Sequence, residues 1–179
     1  VRPQTAREGG NAGNAWSNRQ QPIRALVLVP TRELAAQIRE SMLAYARYLP
    51  EPVKVISAFG GVSINPQMMA LRGGADIVLA TPGRLLDLVE HNALNLQQVS
   101  TLVLDEADRL LDLGFADELA RILRLLPSKR QNLVFSATFP SEVHALTANL
   151  LRDPLRIDVP STPVTTPDIL QRSIRVDPE

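Results

Sequence analysis

Cysteine is absent from the 179-residue sequence. That excludes disulfides and thiolate metal centres, and it suits a reducing compartment. Aromatic residues are scarce at 4%, yet the hydrophobic share of 45% is that of a folded globular protein. Long apolar runs are missing too. Stretches such as Ala25-Leu26-Val27-Leu28-Val29 are strand-sized, far below the roughly 20 residues of a membrane span. No secretory leader pattern opens the chain, so the expected location is cytoplasmic, without a membrane partner. Net charge is lacking as well, with 19 basic residues against 19 acidic ones. A global positive field cannot therefore draw in a nucleic acid, and any such site must be local. His91 and His144 have no partners at metal-ligand spacing and fall on expected helix surfaces, which reads them as non-catalytic.

The length suits one domain with a sizeable core. Residues 1–22, polar and rich in Gly and Asn, read as a flexible linker. Val1 in place of Met suggests a fragment, a processed chain or a renumbered one. From Ile23 apolar runs recur at Ala25–Val29, Val53–Phe59, Ile77–Ala80, Thr101–Leu104, Leu133–Phe135 and Leu155–Val159. Segments with helical spacing lie between them: Leu34, Ile38, Met42, Tyr45 and Leu49 form one face, and Leu119, Ile122 and Leu126 another, with Val143, Leu146 and Leu150 a third. Continuous rather than alternating apolar strands imply burial on both faces, and intervening helices imply crossovers. The fold class is α/β, an open, mostly parallel, doubly wound sheet spanning residues 23–160. Residues 161–179 read as a Pro- and Thr-rich linker followed by a further strand, Ile169–Val176.

In such sheets ligands bind beyond the carboxyl ends of the strands. The first five expected strands are followed in turn by Pro30-Thr31-Arg32-Glu33, Gly60-Gly61, Thr81-Pro82-Gly83-Arg84, Asp105-Glu106-Ala107-Asp108 and Ser136-Ala137-Thr138. Each has an ordinary use: threonine caps helices, proline opens them, glycine turns, and acids favour a helix start. Five such loops on one edge exceed what a structural sheet needs. An apolar strand ending in Asp105 and Glu106 is the Walker B arrangement, in which the first acid holds magnesium through water and the second acts on an attacking water. Thr31, Arg32, Thr81, Gly83 and Arg84 stand at strand-to-helix junctions, where exposed N–H groups, a hydroxyl and a guanidinium attract phosphate. Gly60 and Gly61 let another backbone pass closely.

These residues resemble a family. Pro30 to Ala35 is similar to motif Ia of DEAD-box RNA helicases, Gly60-Gly61 to their GG motif and Thr81 to Arg84 to motif Ib. Asp105 to Asp108 resembles motif II, and Ser136 to Thr138 motif III. The stretch Gly60–Leu88, with Ser63-Ile64-Asn65-Pro66-Gln67, looks most like the bacterial RhlE-type subgroup. The resemblance implies the first of two RecA-like, P-loop NTPase-type domains that close around ATP and single-stranded RNA and separate strands locally. It implies ATP and Mg2+ as cofactors, and RNA and a second RecA-like domain of the same parent as partners. Asp105 would hold magnesium, and with Glu106 would face the nucleotide. Glu106 would act on the hydrolytic water. Asp108, Ser136 and Thr138 would couple hydrolysis to RNA. Thr31, Arg32, Gly60, Gly61, Thr81, Gly83 and Arg84 would line the RNA track.

The sequence also departs from that pattern. The family's Walker A loop requires Gly-Lys-Thr, but the two lysines, Lys54 and Lys129, do not follow glycines. The Q motif is missing as well, so the sheet is expected to be incomplete and the chain alone inactive. Another reading keeps the fold and loses the chemistry, leaving a non-catalytic RNA-binding or adaptor protein. Without the Walker A strand, Leu133–Phe135 should either form an open edge or pair with Leu155–Val159.

Overall fold

The computed structural model describes residues 22–159. The expected linker up to residue 21, the Pro- and Thr-rich stretch and the strand at Ile169–Val176 lie outside the described residues. Five strands form: β1 (Ala25–Leu28), β2 (Val55–Ala58), β3 (Ile77–Ala80), β4 (Thr101–Leu104) and β5 (Gln131–Val134). Six helices accompany them among the described residues: α1 (Arg32–Ala46), α2 (Asn65–Ala70), α3 (Pro82–Glu90), α4 (Ala107–Asp112), α5 (Ala116–Leu125) and α6 (Ser141–Leu150). All pairings are parallel, in the order β2-β3-β1-β4-β5.

Successive strand residues face opposite sides, and the two sides carry different helices. Leu26, Leu28, Val78, Leu102 and Leu104 meet Leu85 and Leu88 of α3, Leu110 of α4 and Leu119 and Ile122 of α5. Val27, Val29, Val55 and Leu79 meet Ala35, Leu34, Ile38 and Met42 of α1. Replacing any of these fully buried leucines by alanine should cost about 2–5 kcal/mol. At the amino edge, the buried Asp76 carboxylate accepts from Arg24 Nη2 at 2.7 Å and from the Lys54 N–H at 2.9 Å. That ties the starts of β1, β2 and β3 together.

Two expectations need correction. The apolar face of α1 stops at Met42. Tyr45 is 76% exposed, and Leu49, beyond the helix end, is 54% exposed. A helix of this length runs about 22 Å, whereas a four-residue strand gives about 13 Å of support, so the helix outruns the sheet beneath it. Nor is Leu155–Val159 a strand. It runs beside the sheet without pairing, with Leu155 and Val159 almost fully exposed. A groove of about 770 Å³, bounded by Asn132, Val134, Leu150, Leu155 and Ile157, separates it from β5. Among the described residues no main chain pairs with this segment, so no strand forms. The open apolar edge expected at Leu133–Phe135 is therefore the outcome, at β5. Gln131 and Phe135 donate their N–H groups to Ser100 and Leu104 on the β4 side. The alternate residues, Asn132 and Val134, turn their main chain to the groove.

Candidate functional site

Because every strand is parallel, all five carboxyl ends share one edge. Ala58, Ala80, Leu28, Leu104 and Val134 stand in one row across the sheet. The ladder runs one residue further: Thr81 donates its N–H to Ala58, Val29 to Ala80, Asp105 to Leu28 and Phe135 to Leu104. Main-chain bonds thus fix where Thr81 and Asp105 leave the sheet. The five polar loops lie side by side, in two groups.

The acidic group follows β4 and β5. Asp105 Oδ1 accepts from the Glu106 N–H at 3.0 Å. Partial burial pushes the Asp105 carboxyl above the usual carboxylate range; the Glu106 N–H opposes this, and the Glu106 charge adds to it. A carboxylate whose charged form is disfavoured in this way is stabilised by a nearby cation. No cluster of three or more ligating side chains occurs among the described residues. A single carboxylate at a strand end is the kind of donor that magnesium uses together with water and phosphate oxygens. Glu106 has φ 49° and ψ 55°, in the left-handed region, a costly conformation for a side chain with a Cβ. Its carboxylate pairs with Arg109 at 3.2 Å.

Asp108 joins the two acidic-side loops. Its Oδ2 accepts from Thr138 twice, from the N–H at 2.9 Å and from Oγ1 at 2.7 Å. Ser136 Oγ accepts from the Asp108 N–H at 3.1 Å and donates to Thr138 O at 2.7 Å. The Thr138 hydroxyl leads the bonds that hold the Asp108 carboxyl below its ordinary range. Asp108, Ser136 and Thr138 form one network, with Asp105 and Glu106 at its side.

The second group follows β1, β2 and β3. Thr31 caps α1, its Oγ1 accepting from the Leu34 N–H at 3.3 Å. Arg32 is exposed and pairs with Glu33 at 2.6 Å. A Cβ on Gly61 would lie 4.0 Å from Arg32 Nη1, so these two loops touch. Gly61 has φ +79° and needs to be glycine. Gly60 and Gly83 do not: neither has positive φ, and a Cβ on either would meet nothing within 4 Å. Thr81 precedes α3 without spending its hydroxyl on a cap. Arg84 turns inward. Its side chain is 9% exposed, lies 3.5 Å from Asp87, and donates through Nη2 to Val62 O at 2.8 Å.

Both lysines lie on the opposite edge, Lys54 just before β2 and Lys129 before β5. Lys54 Nζ donates to Arg72 O. Neither lies at the carboxyl edge, so among the described residues the acidic loop offers a carboxylate suited to magnesium with no lysine beside it. Two contributors were given no role in the sequence reading. Arg109 pairs with Glu106 and also helps hold the Glu33 carboxyl low, behind the larger effect of Arg32. Gln67 is buried and bonds both main-chain groups of Phe59. Its signal was a polar residue at helical spacing between the apolar Ile64 and Leu71. His91 caps the end of α3, and His144 lies exposed beside Phe139.

Residues 11–146 match the family described as DEAD/DEAH box helicase. The chain is 44% identical over 154 residues to the DEAD-box ATP-dependent RNA helicase CshA of Streptococcus pneumoniae, covering 86% of this chain and 29% of that one. It is 43% identical to the ATP-dependent RNA helicase DbpA of Escherichia coli, covering 80% of this chain and 31% of the relative. Among solved structures, the yeast DEAD-box splicing factor Prp28 superposes with a TM-score of 0.69 at 39% identity, covering 73% of this chain and 32% of its own. The chain thus spans about a third or less of each of these proteins. The five motifs on one sheet edge and these likenesses agree, and the chain belongs to the DEAD/DEAH box helicase family.

Proposed function

We propose that this chain is the first RecA-like part of an ATP-dependent RNA helicase, of the RhlE-type subgroup, that couples ATP hydrolysis to RNA binding and local unwinding. The observation that carries this reading is the pair of glycines, Gly60 and Gly83, that neither conformation nor packing requires. They leave bare main chain on the edge beside Arg32 and Thr81, where a sugar-phosphate backbone can approach without meeting a Cβ. The hydrolytic half adjoins it. Asp105 would hold magnesium through water, and Glu106 would take the proton of the attacking water. When bound, the ion neutralises charge on the phosphates. Asp108 ties the acidic loop to Ser136 and Thr138, so a shift in one loop moves the other. Thr31, Arg32, Gly60, Gly61, Thr81 and Gly83 would line the RNA track, with Arg84 holding its wall. A second RecA-like domain would close the site, and a Gly-Lys-Thr loop from residues beyond this chain would cradle the phosphates.

A non-catalytic RNA-binding protein is the alternative, favoured by the position of both lysines on the far edge. One measurement separates these readings and a second locates the phosphate site. The full-length gene product should show ATP hydrolysis stimulated by single-stranded RNA, and RNA binding without hydrolysis would select the alternative. Calorimetry on the 179-residue chain should detect no ATP binding at millimolar nucleotide. Stoichiometric, magnesium-dependent binding would place the phosphate site within this chain.

A further inference from the structure

We infer that Gln67 is a positioning residue for RNA, acting through the Gly60–Gly61 loop without touching the ligand; this rests on the RNA reading above. Gln67 is only 9% exposed and sits on α2 between Ile64 and Leu71, which both pack on the core. An apolar residue would serve the packing better, because a buried amide is costly unless both its groups are bonded. Here both are. The Phe59 N–H donates to Gln67 Oε1 at 3.2 Å, and Gln67 Nε2 donates to Phe59 O at 3.0 Å.

Among the described residues β2 is an outer strand, with β3 on one side only. The Gln67 side chain offers one acceptor and one donor to a single residue, as a neighbouring strand would. It fixes Phe59, immediately before Gly60. At the far end of the loop Arg84 Nη2 holds Val62 O at 2.8 Å. The two glycines are thus pinned on both sides by buried side chains from α2 and α3. A free Gly-Gly pair samples many conformations, and binding would have to order it. Clamping the loop beforehand removes that cost from the affinity for a sugar-phosphate backbone. The clamp requires an amide, since a carboxylate lacks the donor and a thioether lacks the donor and accepts only weakly.

The test uses the full-length gene product with a single-stranded oligouridine and the variants Gln67→Met and Gln67→Glu. Gln67→Met should weaken RNA binding about tenfold through the two lost hydrogen bonds. It should leave the salt dependence unchanged, because no phosphate contact is removed. The RNA concentration for half-maximal stimulation of ATP hydrolysis should rise by the same factor. The rate at saturating RNA should stay within about twofold, since the clamp biases the loop before RNA is bound. Gln67→Glu keeps the shape but loses the donor, and should show the same split; it carries the test if Gln67→Met folds poorly. Wild-type RNA affinity in both variants, or a lowered maximal rate with an unchanged RNA requirement, would overturn the inference. Failure of the RNA reading looks different: the unaltered protein would then bind no single-stranded RNA. In that case amide exchange at Phe59 would still report whether Gln67 clamps the loop, and the role in RNA binding would be rejected.

Discussion

Thr138 donates both its N–H and its hydroxyl to a single oxygen of Asp108, at 2.9 and 2.7 Å. The bonds hold the Asp108 carboxyl below its ordinary range. A carboxyl lowered in the folded state stabilises the fold above the unfolded value of about 3.9, and that stability is lost as pH falls through the folded value. Thr138→Val removes the hydroxyl and nothing else of similar size. It should cost about 1 kcal/mol at neutral pH, given the part exposure of the pair. The difference from wild type should begin to shrink as pH falls past about 3.9, the unfolded value, and go on shrinking through the lower folded value. Urea unfolding at pH 7 and pH 3 reads both values, and an equal cost at the two pH values would assign the loss to packing.

Glu106 carries a second prediction. In the full-length protein Glu106→Gln should retain nucleotide binding and reduce hydrolysis by about 10²–10⁴-fold, the usual contribution of a general base. Glu106→Gly should stabilise the fold by about 1 kcal/mol, because glycine meets no penalty at φ 49°. It should be equally defective in hydrolysis. A gain in stability joined to a loss of activity would identify strain kept for function. Near wild-type hydrolysis by either variant would remove Glu106 from the chemistry.

The two arginines of the second group should behave differently in a salt titration. Arg32 is exposed beside Gly61, so Arg32→Ala should weaken single-stranded RNA binding and reduce the log–log salt slope by roughly 0.7. Arg84 is turned into the protein toward Val62 and Asp87. Arg84→Ala should weaken binding through the loop while leaving the slope unchanged. A slope that falls with Arg84→Ala would mean that this guanidinium swings out to meet a phosphate.

These contrasts show what a linear reading can and cannot see. The strand positions were legible because buried parallel strands leave unbroken apolar runs, as at Leu102-Val103-Leu104. The shared edge of the candidate site was legible because short runs of two to four polar or small residues follow those strands. The reach of α1 was not, since Tyr45 continues the helical period while the sheet that could bury it has ended. Pairing at Leu155–Val159 depended on a neighbour distant in sequence, which composition does not report. Arg84 was recognised for its charge, but its direction is set by Val62, 22 residues away. Gln67 stood in the sequence only as part of the RhlE-type stretch, without a role, because glutamine is mostly exposed and its burial is set by the fold.

The outer edge of β5 yields the last prediction. An apolar edge with main-chain groups facing a groove invites pairing with another chain. The 179-residue chain should therefore self-associate as its concentration rises. Leu133→Lys, which places a charge on that strand, should return it toward the monomer. Sedimentation of the two proteins over a range of concentrations checks this. A wild-type chain that stays monomeric at high concentration would show the groove to be protected.

The central place of β1 bears on how the chain is made. Its neighbours in the sheet are β3 and β4, and the contacts that fasten its start, Arg24 to Asp76 and Ser100 to Arg24, span 52 and 76 residues. β1, the earliest of the described strands, thus has no partner until the chain through β3 has followed it, and its second side stays open until β4 arrives. Leu26 and Leu28, wholly buried in the end, are exposed for that interval. At about 5–20 residues per second the wait is several seconds. During that interval the strand offers a hold to a chaperone that binds nascent apolar segments.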